Sequence, residues 1–281
     1  MTIPDSPLPI AGAIAFIGGG NMARSLIGGL VARSRDATAI RVAEPVVALR
    51  DGLHRDFGVA GFDQAAAAAQ GAAVWLLAVK PQVMRAVCTE LATLAQAQRP
   101  VVISIAAGIT VTQLERWLGG GLAVVRAMPN TPALLGVGIT GLYANPRTDT
   151  AQRDQAAALL DAVGPTVWID DEAQMDAVTA VSGSGPAYLF LLAEAMQAAG
   201  IAQGLPPQAA RALVQQTLLG AATMLTQLDE PADVLRTRVT SPGGTTQAAV
   251  ESFETGGFRA LVDRAIAAAT ERGRQLSAAN D

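Results

Sequence analysis

Short apolar runs alternate with longer stretches of helical periodicity between residues 11 and 168, and this alternation constrains the fold more than any other feature. The run AIAFIG precedes NMARSLIGGLVARS, for example, and AAVWLLAV precedes PQVMRAVCTELATLAQ. Strands that take turns with helices usually pair in parallel, through crossover connections. The apolar runs are continuous, as in strands that are covered on both faces. We therefore predict a doubly wound α/β sheet.

The composition of the chain changes near residue 170. Residues 172–279 are rich in Ala, Leu and Gln, have helical periodicity, and are interrupted by segments that contain Gly and Pro. This pattern predicts helices joined by short loops. We therefore divide the chain into an α/β domain at residues 1–170 and an all-α domain at residues 171–281.

Charge and cysteine content argue against several classes of protein. The net charge is −4 and no block of five or six like charges is present, so the electrostatic signature of a nucleic-acid-binding protein is missing. Cys88 is the single cysteine and cannot form a disulfide framework or a cysteine-based zinc site within one chain, so we predict no metal. We expect Cys88 and the single histidine, His54, to be structural.

The sequence gives no sign of export or of a membrane span. The N-terminus lacks a basic segment followed by an apolar run and a cleavage site. The longest uncharged apolar stretch, residues 177–193, contains Ser-Gly-Ser-Gly-Pro and falls short of the roughly 18 to 20 continuous apolar residues that a membrane span needs. We predict a buried helix there, and we expect a cytoplasmic protein.

A glycine-rich stretch follows the first apolar run directly. Residues 18–23 read Gly-Gly-Gly-Asn-Met-Ala and match the pattern G-x-G-x-x-A between a strand and a helix. In dinucleotide-binding folds the first glycine permits the tight turn, the second lets the backbone approach the pyrophosphate, and the small third residue packs helix against strand. The stretch therefore predicts a pyrophosphate site, and the alternative is a turn without a ligand.

Two charged residues follow predicted strands. Glu44 ends the run IRVAE, where an acidic side chain accepts hydrogen bonds from the ribose 2′-hydroxyl and repels a 2′-phosphate. This favours NAD over NADP, although Arg41 or Arg50 could meet a phosphate. Lys80 is the single lysine and stands at the carboxyl end of a strand, the edge where open α/β sheets bind ligands. The alternative for both residues is simple solvation at a strand end.

The helical half limits the chemistry available for catalysis. It has no histidine or lysine, and its one tyrosine, Tyr188, lies in an apolar helix. Reduction of a ketone usually needs such a group as a proton relay. An imine nitrogen, in contrast, can be protonated before the hydride arrives, so the protein need only orient the substrate. The residue content therefore favours reduction of a C=N bond.

One loop of the helical half is suited to bind an anion. Pro-Gly-Gly forces a loop within residues 238–250, and Thr245 or Thr246 can cap the helix that follows. Free N–H groups at the start of that helix would bind a substrate carboxylate. The alternative is an ordinary capped loop between two helices.

The whole chain resembles bacterial pyrroline-5-carboxylate reductases, which make proline. The stretches that carry the resemblance, in order, are FIGGGNMA (16–23), AVKPQ (78–82), ISIAAG (103–108), VVRAMPNTPALLGVGITGLYAN (124–145), DAVTAVSGSGPAYLF (176–190) and RVTSPGGTTQAAVESFETGGFRALV (238–262). The resemblance implies a Rossmann domain followed by an all-α dimerisation domain, in a homodimer or a larger homo-oligomer. It implies reduction of Δ1-pyrroline-5-carboxylate to L-proline by NADPH, with NADH accepted to varying degrees.

The resemblance also implies roles for individual residues. The cofactor-binding residues are Gly18, Gly20, Asn21, Met22, Glu44, Ala78, Val79, Lys80, Pro81, Ala106, Ala107 and Asn130. The substrate-binding residues are Gly244, Thr245, Thr246 and Glu172, and the catalytic residues are Thr246 and Ser241. The amides of Thr245 and Thr246 would hold the substrate carboxylate, while the Thr246 hydroxyl would reach the ring nitrogen.

Other functions are compatible with the same two-domain plan. A hydroxyacid dehydrogenase would usually carry a catalytic lysine on the first long helix of its second domain, and residues 182–188 contain none. Another imine reductase, including one for a six-membered cyclic imine acid, also fits the sequence. A nucleotide sensor without catalytic activity would bind the cofactor but reduce no imine.

Overall fold

One sheet organises the N-terminal part of the chain, in a computed structural model that describes residues 12–280. Its eight strands, counted over those residues, are β1 (Ala13–Ile17), β2 (Ile40–Ala43), β3 (Ala60–Phe62), β4 (Ala72–Leu77), β5 (Val101–Ser104), β6 (Ala123–Pro129), β7 (Thr140–Ala144) and β8 (Thr166–Trp168). Their order in space is β3-β2-β1-β4-β5-β6-β7-β8. Strands β2 and β3 are added on one side of β1, whereas β4 and the strands after it are added on the other side. In open α/β sheets, ligands bind at the point where the strand order reverses in this way, here between β1 and β4.

The doubly wound sheet is confirmed, but it is not parallel throughout. Strands β1 to β6 run parallel, whereas β7 is antiparallel to β6 and parallel to β8. The connection from β6 to β7 contains only a short 3₁₀ turn, Thr131–Leu135. A parallel return needs a crossover of a dozen or more residues, so this shorter connection reverses the strand.

Helices follow most of the strands and make up the C-terminal part. They are α1 (Asn21–Ala32), α2 (Val47–Phe57), α3 (Ala65–Ala69), α4 (Pro81–Gln98), α5 (Val111–Trp117), α6 (Thr150–Leu160), α7 (Met175–Val178), α8 (Gly185–Ala202), α9 (Pro207–Gln227), α10 (Ala232–Arg238), α11 (Thr245–Thr255) and α12 (Phe258–Ala279). A π-helical segment, Thr179–Gly183, joins α7 to α8. No helix within residues 12–280 combines the length and the apolar character needed to cross a bilayer.

The described residues form two compact units. The first runs to Ser184 and resumes at Ala269, and the second is Gly185–Ala268. The last turns of α12 therefore belong to the first unit. The domain boundary that we place near residue 170 from composition stays a prediction.

Apolar side chains cover both faces of the sheet. Ile14 and Phe16 of β1 belong to one buried cluster, and Ala15 and Ile17 belong to the other. Successive residues of a strand point to opposite faces, so β1 contributes to both clusters. Helix α1 packs into the first cluster and α4 into the second. This two-sided burial explains why the strands are continuously apolar.

The second unit is helical, as predicted, but its apolar side chains remain largely exposed. Helices α8 and α9 pack against each other. The prediction that residues 177–193 form a buried helix is wrong about burial, because Phe190 and Leu191 are 69% and 66% exposed. The segment is helical, with the π-helical turn at its start. The side chains that would bury these positions are not supplied by the described part of the chain.

A buried arginine connects β6 to the segment before α8. Arg126 Nη1 donates to Glu172 Oε1 at 3.1 Å, and Arg126 Nη2 lies 3.9 Å from Asp176 Oδ1. Glu172 Oε1 also accepts a hydrogen bond from the Val111 amide at 2.8 Å. The Arg126 side chain is only 4% exposed. The network therefore fixes the start of α5 and the segment at residues 172–176 to the central sheet.

We predict that Arg126→Met lowers the free energy of unfolding by about 3 kcal/mol, because it leaves two partly buried carboxylates without a cation. Urea denaturation measures this change. The matched control is Arg147→Met, which removes an arginine whose side chain is 60% exposed and pairs with Glu115. This surface pair contributes about 1 kcal/mol or less. Equal losses in the two variants would contradict a structural role for the buried network.

Candidate active site

The turn after β1 requires glycine at its first position. Gly18 has φ +103°, and its amide donates to the carbonyl oxygen of Ala43 at 2.8 Å. A Cβ atom at Gly18 would lie 2.7 Å from the carbonyl oxygen of Ala78. Both the backbone conformation and this close approach therefore exclude a side chain.

The start of α1 is open to a ligand. Gly20 is the N-cap and has no side chain that could bond to the first amides of the helix. A Cβ atom at Gly20 would meet no atom of the described residues within 4 Å. Asn21 is exposed, whereas Met22 is partly buried and packs against the first core cluster. Unbonded N–H groups at a helix start with clear space in front of them suit a pyrophosphate.

The carboxyl ends of β1, β4 and β5 lie side by side. The Ala78 amide donates to the Ile17 carbonyl at 2.8 Å, and the Ile105 amide donates to the Leu77 carbonyl at 3.1 Å. The structure therefore brings the glycine turn, residues 78–81 and residues 106–107 to one edge of the sheet. Val79 contributes to this contact, because its Cγ1 would lie 3.2 Å from a Cβ at Gly18.

Lys80 and Pro81 begin the helix on this edge. Lys80 is the exposed N-cap residue of α4, and Pro81 occupies the first helical position. Proline suits that position because its missing N–H would have no acceptor within the helix. Ala107 is exposed and Ala106 is 6% exposed. The cofactor contacts of these four residues stay predictions.

Glu44 has a structural role that its sequence position does not reveal. Its Oε2 accepts from the Gly19 amide and its Oε1 from the Val46 amide, each at 2.9 Å. The residue is 7% exposed, and Arg50 donates to its backbone carbonyl at 2.8 Å. Glu44 therefore supports the glycine turn through its hydrogen bond with the Gly19 amide. Its contact with a ribose stays a prediction.

The two arginines considered for a 2′-phosphate already have partners. Arg50 donates to the Glu44 carbonyl, and Arg41 Nη1 donates to the Gln70 carbonyl. Each guanidinium keeps further N–H groups that these bonds do not use.

Asn130 likewise bonds within the protein. Its Nδ2 donates to the Ser182 carbonyl at 3.1 Å, and its Oδ1 accepts from the Ile139 amide at 3.0 Å. The residue is 9% exposed. Asn130 thus ties the end of β6 to the start of β7 and to the π-helical segment, and its role toward the cofactor stays a prediction.

The loop before α11 lies in the second unit and ends at an uncapped helix. The Gly244 amide donates to the Ser241 carbonyl at 3.0 Å, and the Gly243 amide donates to Gln247 Oε1 at 2.6 Å. Gly244 is the N-cap, so the expected capping by Thr245 or Thr246 does not occur. Since no side chain caps α11, the backbone N–H groups of both threonines are suited to donate hydrogen bonds to a carboxylate.

Glu172, which we predict to bind substrate, is held in the first unit. Its carboxylate bonds to Arg126 and to the Val111 amide, as described above. These contacts account for a glutamate at this position, and its role toward the substrate stays a prediction.

The single histidine has a partner close in sequence, and the single cysteine is buried. His54 Nδ1 lies 3.0 Å from the Val59 carbonyl oxygen, near the end of α2. Cys88 is buried on α4, and burial raises the pKa of its thiol to about 12. A thiol with that pKa is not a nucleophile near neutral pH.

Family models match both parts of the chain. The model described as "NADP oxidoreductase coenzyme F420-dependent" matches residues 13–108, and the model described as "Pyrroline-5-carboxylate reductase dimerisation" matches residues 172–276. The chain is also similar to the pyrroline-5-carboxylate reductase of Pseudomonas aeruginosa, at 52% identity over 94% of this chain and 96% of that protein.

Solved structures of the same kind of protein superpose on the chain. A pyrroline-5-carboxylate reductase from Coxiella burnetii has a TM-score of 0.92 and 41% identity, and the match covers 95% of this chain and 98% of that one. The pyrroline carboxylate reductase of Plasmodium falciparum, solved with NADP bound, has a TM-score of 0.82 and 26% identity over the same shares of the two chains.

The two outer glycines of the turn are expected to respond differently to alanine. We predict that Gly18→Ala lowers the free energy of unfolding by about 2 kcal/mol or more, because of its positive φ and its clash with Ala78. Gly20→Ala should lower the free energy of unfolding by about 1 kcal/mol or less. It should nevertheless weaken binding of a dinucleotide, because the new methyl group enters the space in front of α1. Urea denaturation and fluorescence titration with NADPH measure the two effects. Unchanged NADPH affinity in a folded Gly20→Ala variant would argue against a pyrophosphate at this turn.

Proposed function

The chain belongs to the pyrroline-5-carboxylate reductase family, and from this we propose that it reduces the C=N bond of Δ1-pyrroline-5-carboxylate to give L-proline, the last step of proline biosynthesis. The observation that carries the proposal is a pair of helices whose N-caps are glycine. Gly20 leaves the first amides of α1 uncapped, and Gly244 does the same for α11. One such site suits the pyrophosphate of a dinucleotide, and the other suits the carboxylate of a small acid.

The first unit has the features that a nicotinamide dinucleotide requires. The turn at residues 18–20 leaves a clear approach to the amides of α1, and residues 78–81 and 106–107 share its edge of the sheet. We assign the pyrophosphate to the start of α1, and the ribose and nicotinamide to those two neighbouring loops. When bound, NADPH, or NADH in its place, supplies the hydride that saturates the C=N bond.

The second unit supplies the groups proposed for the substrate. The amides of Thr245 and Thr246 hold the carboxylate, and the Thr246 hydroxyl bonds to the ring nitrogen. Ser241 lies at the start of the same loop, where its carbonyl oxygen accepts from Gly244. Fixing the carboxylate and the nitrogen orients the imine carbon, which is how a site without a strong acid can still accelerate the reaction.

The proton on nitrogen need not come from the protein. A pyrroline nitrogen that is protonated before reduction is already electrophilic at carbon, so the chain has to orient the ring rather than transfer a proton. This proposal agrees with the absence of histidine and lysine from residues 171–281.

The chain forms a homo-oligomer, and we propose that its smallest unit is a homodimer built on the helical region. The match to a dimerisation family at residues 172–276 supports this assembly. The exposed side chains of Phe190, Leu191 and Leu219 in that region give a second copy apolar surface to cover. A cytoplasmic location and the absence of nucleic-acid partners are expectations from the sequence.

An assay of turnover tests the proposal directly. Purified protein is mixed with pyrroline-5-carboxylate, and the loss of reduced nicotinamide absorbance is followed with NADPH and with NADH at matched concentrations. Rapid loss that depends on both substrate and protein is the expected result. A protein that binds NADPH but oxidises neither cofactor would point to another imine or to a nucleotide sensor.

The neighbouring threonines provide a matched pair of variants. We predict that Thr246→Ala lowers kcat/KM for pyrroline-5-carboxylate by about tenfold to a hundredfold, because it removes a hydrogen bond to a charged nitrogen. Thr245→Ala keeps the backbone amide and should change kcat/KM by about twofold or less. Thr246→Ser keeps the hydroxyl and should therefore retain most of the activity of the unmodified protein. Full activity of Thr246→Ala would contradict the role of its hydroxyl.

Glu44 is expected to affect the choice of cofactor. We predict that Glu44→Ser raises the NADPH to NADH ratio of kcat/KM by about tenfold, because it removes a negative charge from the region proposed for the adenosine ribose. The control Glu90→Gln removes one charge from the exposed face of α4 and should leave the ratio unchanged. An unchanged ratio in Glu44→Ser would mean that Glu44 acts only on the structure of the turn.

A further inference from the structure

The last turn of α12 contacts the loop that joins β5 to α5. Asn280 Nδ2 donates to the Gly108 carbonyl at 3.0 Å, and the two residues are 172 positions apart in sequence. The same Nδ2 donates to the Leu276 carbonyl at 2.9 Å, which fixes the asparagine to the last turn of α12. Asn280 therefore uses both amide hydrogens to join the end of α12 to this loop.

Gly108 is shaped for this contact. The residue is buried, has φ +70°, and a Cβ placed on it would lie 3.4 Å from both Asn280 Nδ2 and Leu276 Cβ. The chain thus turns at Gly108 directly against the helix end. Ala106 and Ala107 immediately precede Gly108, so a shift of this turn moves both alanines.

A second hydrogen bond joins the same two elements. Gln113 Nε2 donates to the Ser277 carbonyl at 3.1 Å, while its Oε1 accepts from the Thr110 amide at 2.8 Å. The Thr110 hydroxyl in turn accepts from the Gln113 amide, which completes a capping box at the start of α5. Gln113 is 3% exposed. The loop is therefore held to α12 both at Gly108 and through the capping box that follows it.

We propose that Asn280 is a positioning residue for the cofactor. It holds the turn at Gly108 and thereby keeps Ala106 and Ala107 in position beside the nicotinamide half of the dinucleotide. This inference rests on the proposed function, because it takes the edge formed by residues 78–81 and 106–107 as the cofactor site. Among the described residues, the hydrogen bonds of the Asn280 side chain run to the backbone carbonyls of Gly108 and Leu276.

The chain offers a matched control three residues away. Ser277 Oγ is buried and has no hydrogen-bond partner among the described residues. Ser277→Ala therefore removes an unpaired hydroxyl and keeps the backbone carbonyl that Gln113 bonds to. Asn280→Ala, in contrast, removes the bond to Gly108, and Asn280→Asp replaces that donor by a carboxylate that repels both carbonyl oxygens.

The test combines cofactor binding with steady-state kinetics, on full-length proteins that carry no C-terminal tag and are fully folded at the assay temperature. For Asn280→Ala we expect the Kd and KM for NADPH to rise about fivefold, as one hydrogen bond of about 1 kcal/mol implies. We expect kcat and the KM for pyrroline-5-carboxylate to stay within about twofold. Asn280→Asp should weaken NADPH binding at least as much, and Ser277→Ala should match the unmodified protein.

The outcomes separate this inference from the proposed function. Wild-type NADPH affinity in Asn280→Ala, or an equal loss in Ser277→Ala, overturns the inference and leaves the function intact. An unmodified protein that binds NADPH but does not reduce pyrroline-5-carboxylate overturns the function, and the NADPH titrations of the variants still decide the inference. An unmodified protein that binds neither NADPH nor NADH overturns both.

Discussion

The close approach of Gly18 to the carbonyl of Ala78 is the constraint on which the candidate cofactor edge depends. With a side chain at residue 18, the ends of β1 and β4 could not lie as near to each other as they do. The same glycine donates to Ala43 and so ties the turn to β2. Because β1 and β4 are the strands between which the sheet order reverses, this contact shapes the crevice where a dinucleotide would bind.

Polar residues around this edge serve mainly to hold the backbone. Glu44 supports the glycine turn, Asn130 links two strands to the π-helical segment, and Gln113 joins α5 to α12. Each is less than 10% exposed, and a buried polar group is costly unless it is hydrogen-bonded. The groups proposed to meet the ligands are instead largely backbone amides and small side chains. Such a site derives its precision from the scaffold more than from the reactivity of single residues.

Hydrophobic pattern predicted most of the first unit but not all of it. The apolar runs AIAFIG, IRVAE and AAVWLLAV identified β1, β2 and β4, and the stretches that follow the first and the third identified α1 and α4. The three-residue strands β3 and β8 are too short for a periodic signal, and the direction of β7 depends on the length of a loop. Burial of residues 177–193 was not predictable either, because an apolar helix has the same sequence whether its own chain or a second copy covers it.

By itself the sequence determined the family, the doubly wound sheet, the helical C-terminal region and the two glycine-containing turns at residues 18–20 and 241–244. These features are local, since strand and helix periodicity and the conformational freedom of glycine act within a few residues. Only the tertiary structure decided that Glu44 bonds to Gly19, that Glu172 bonds to Arg126, and that Asn280 reaches Gly108. These partners lie 25, 46 and 172 positions apart, and such pairs meet only when the whole sheet and its helices have assembled.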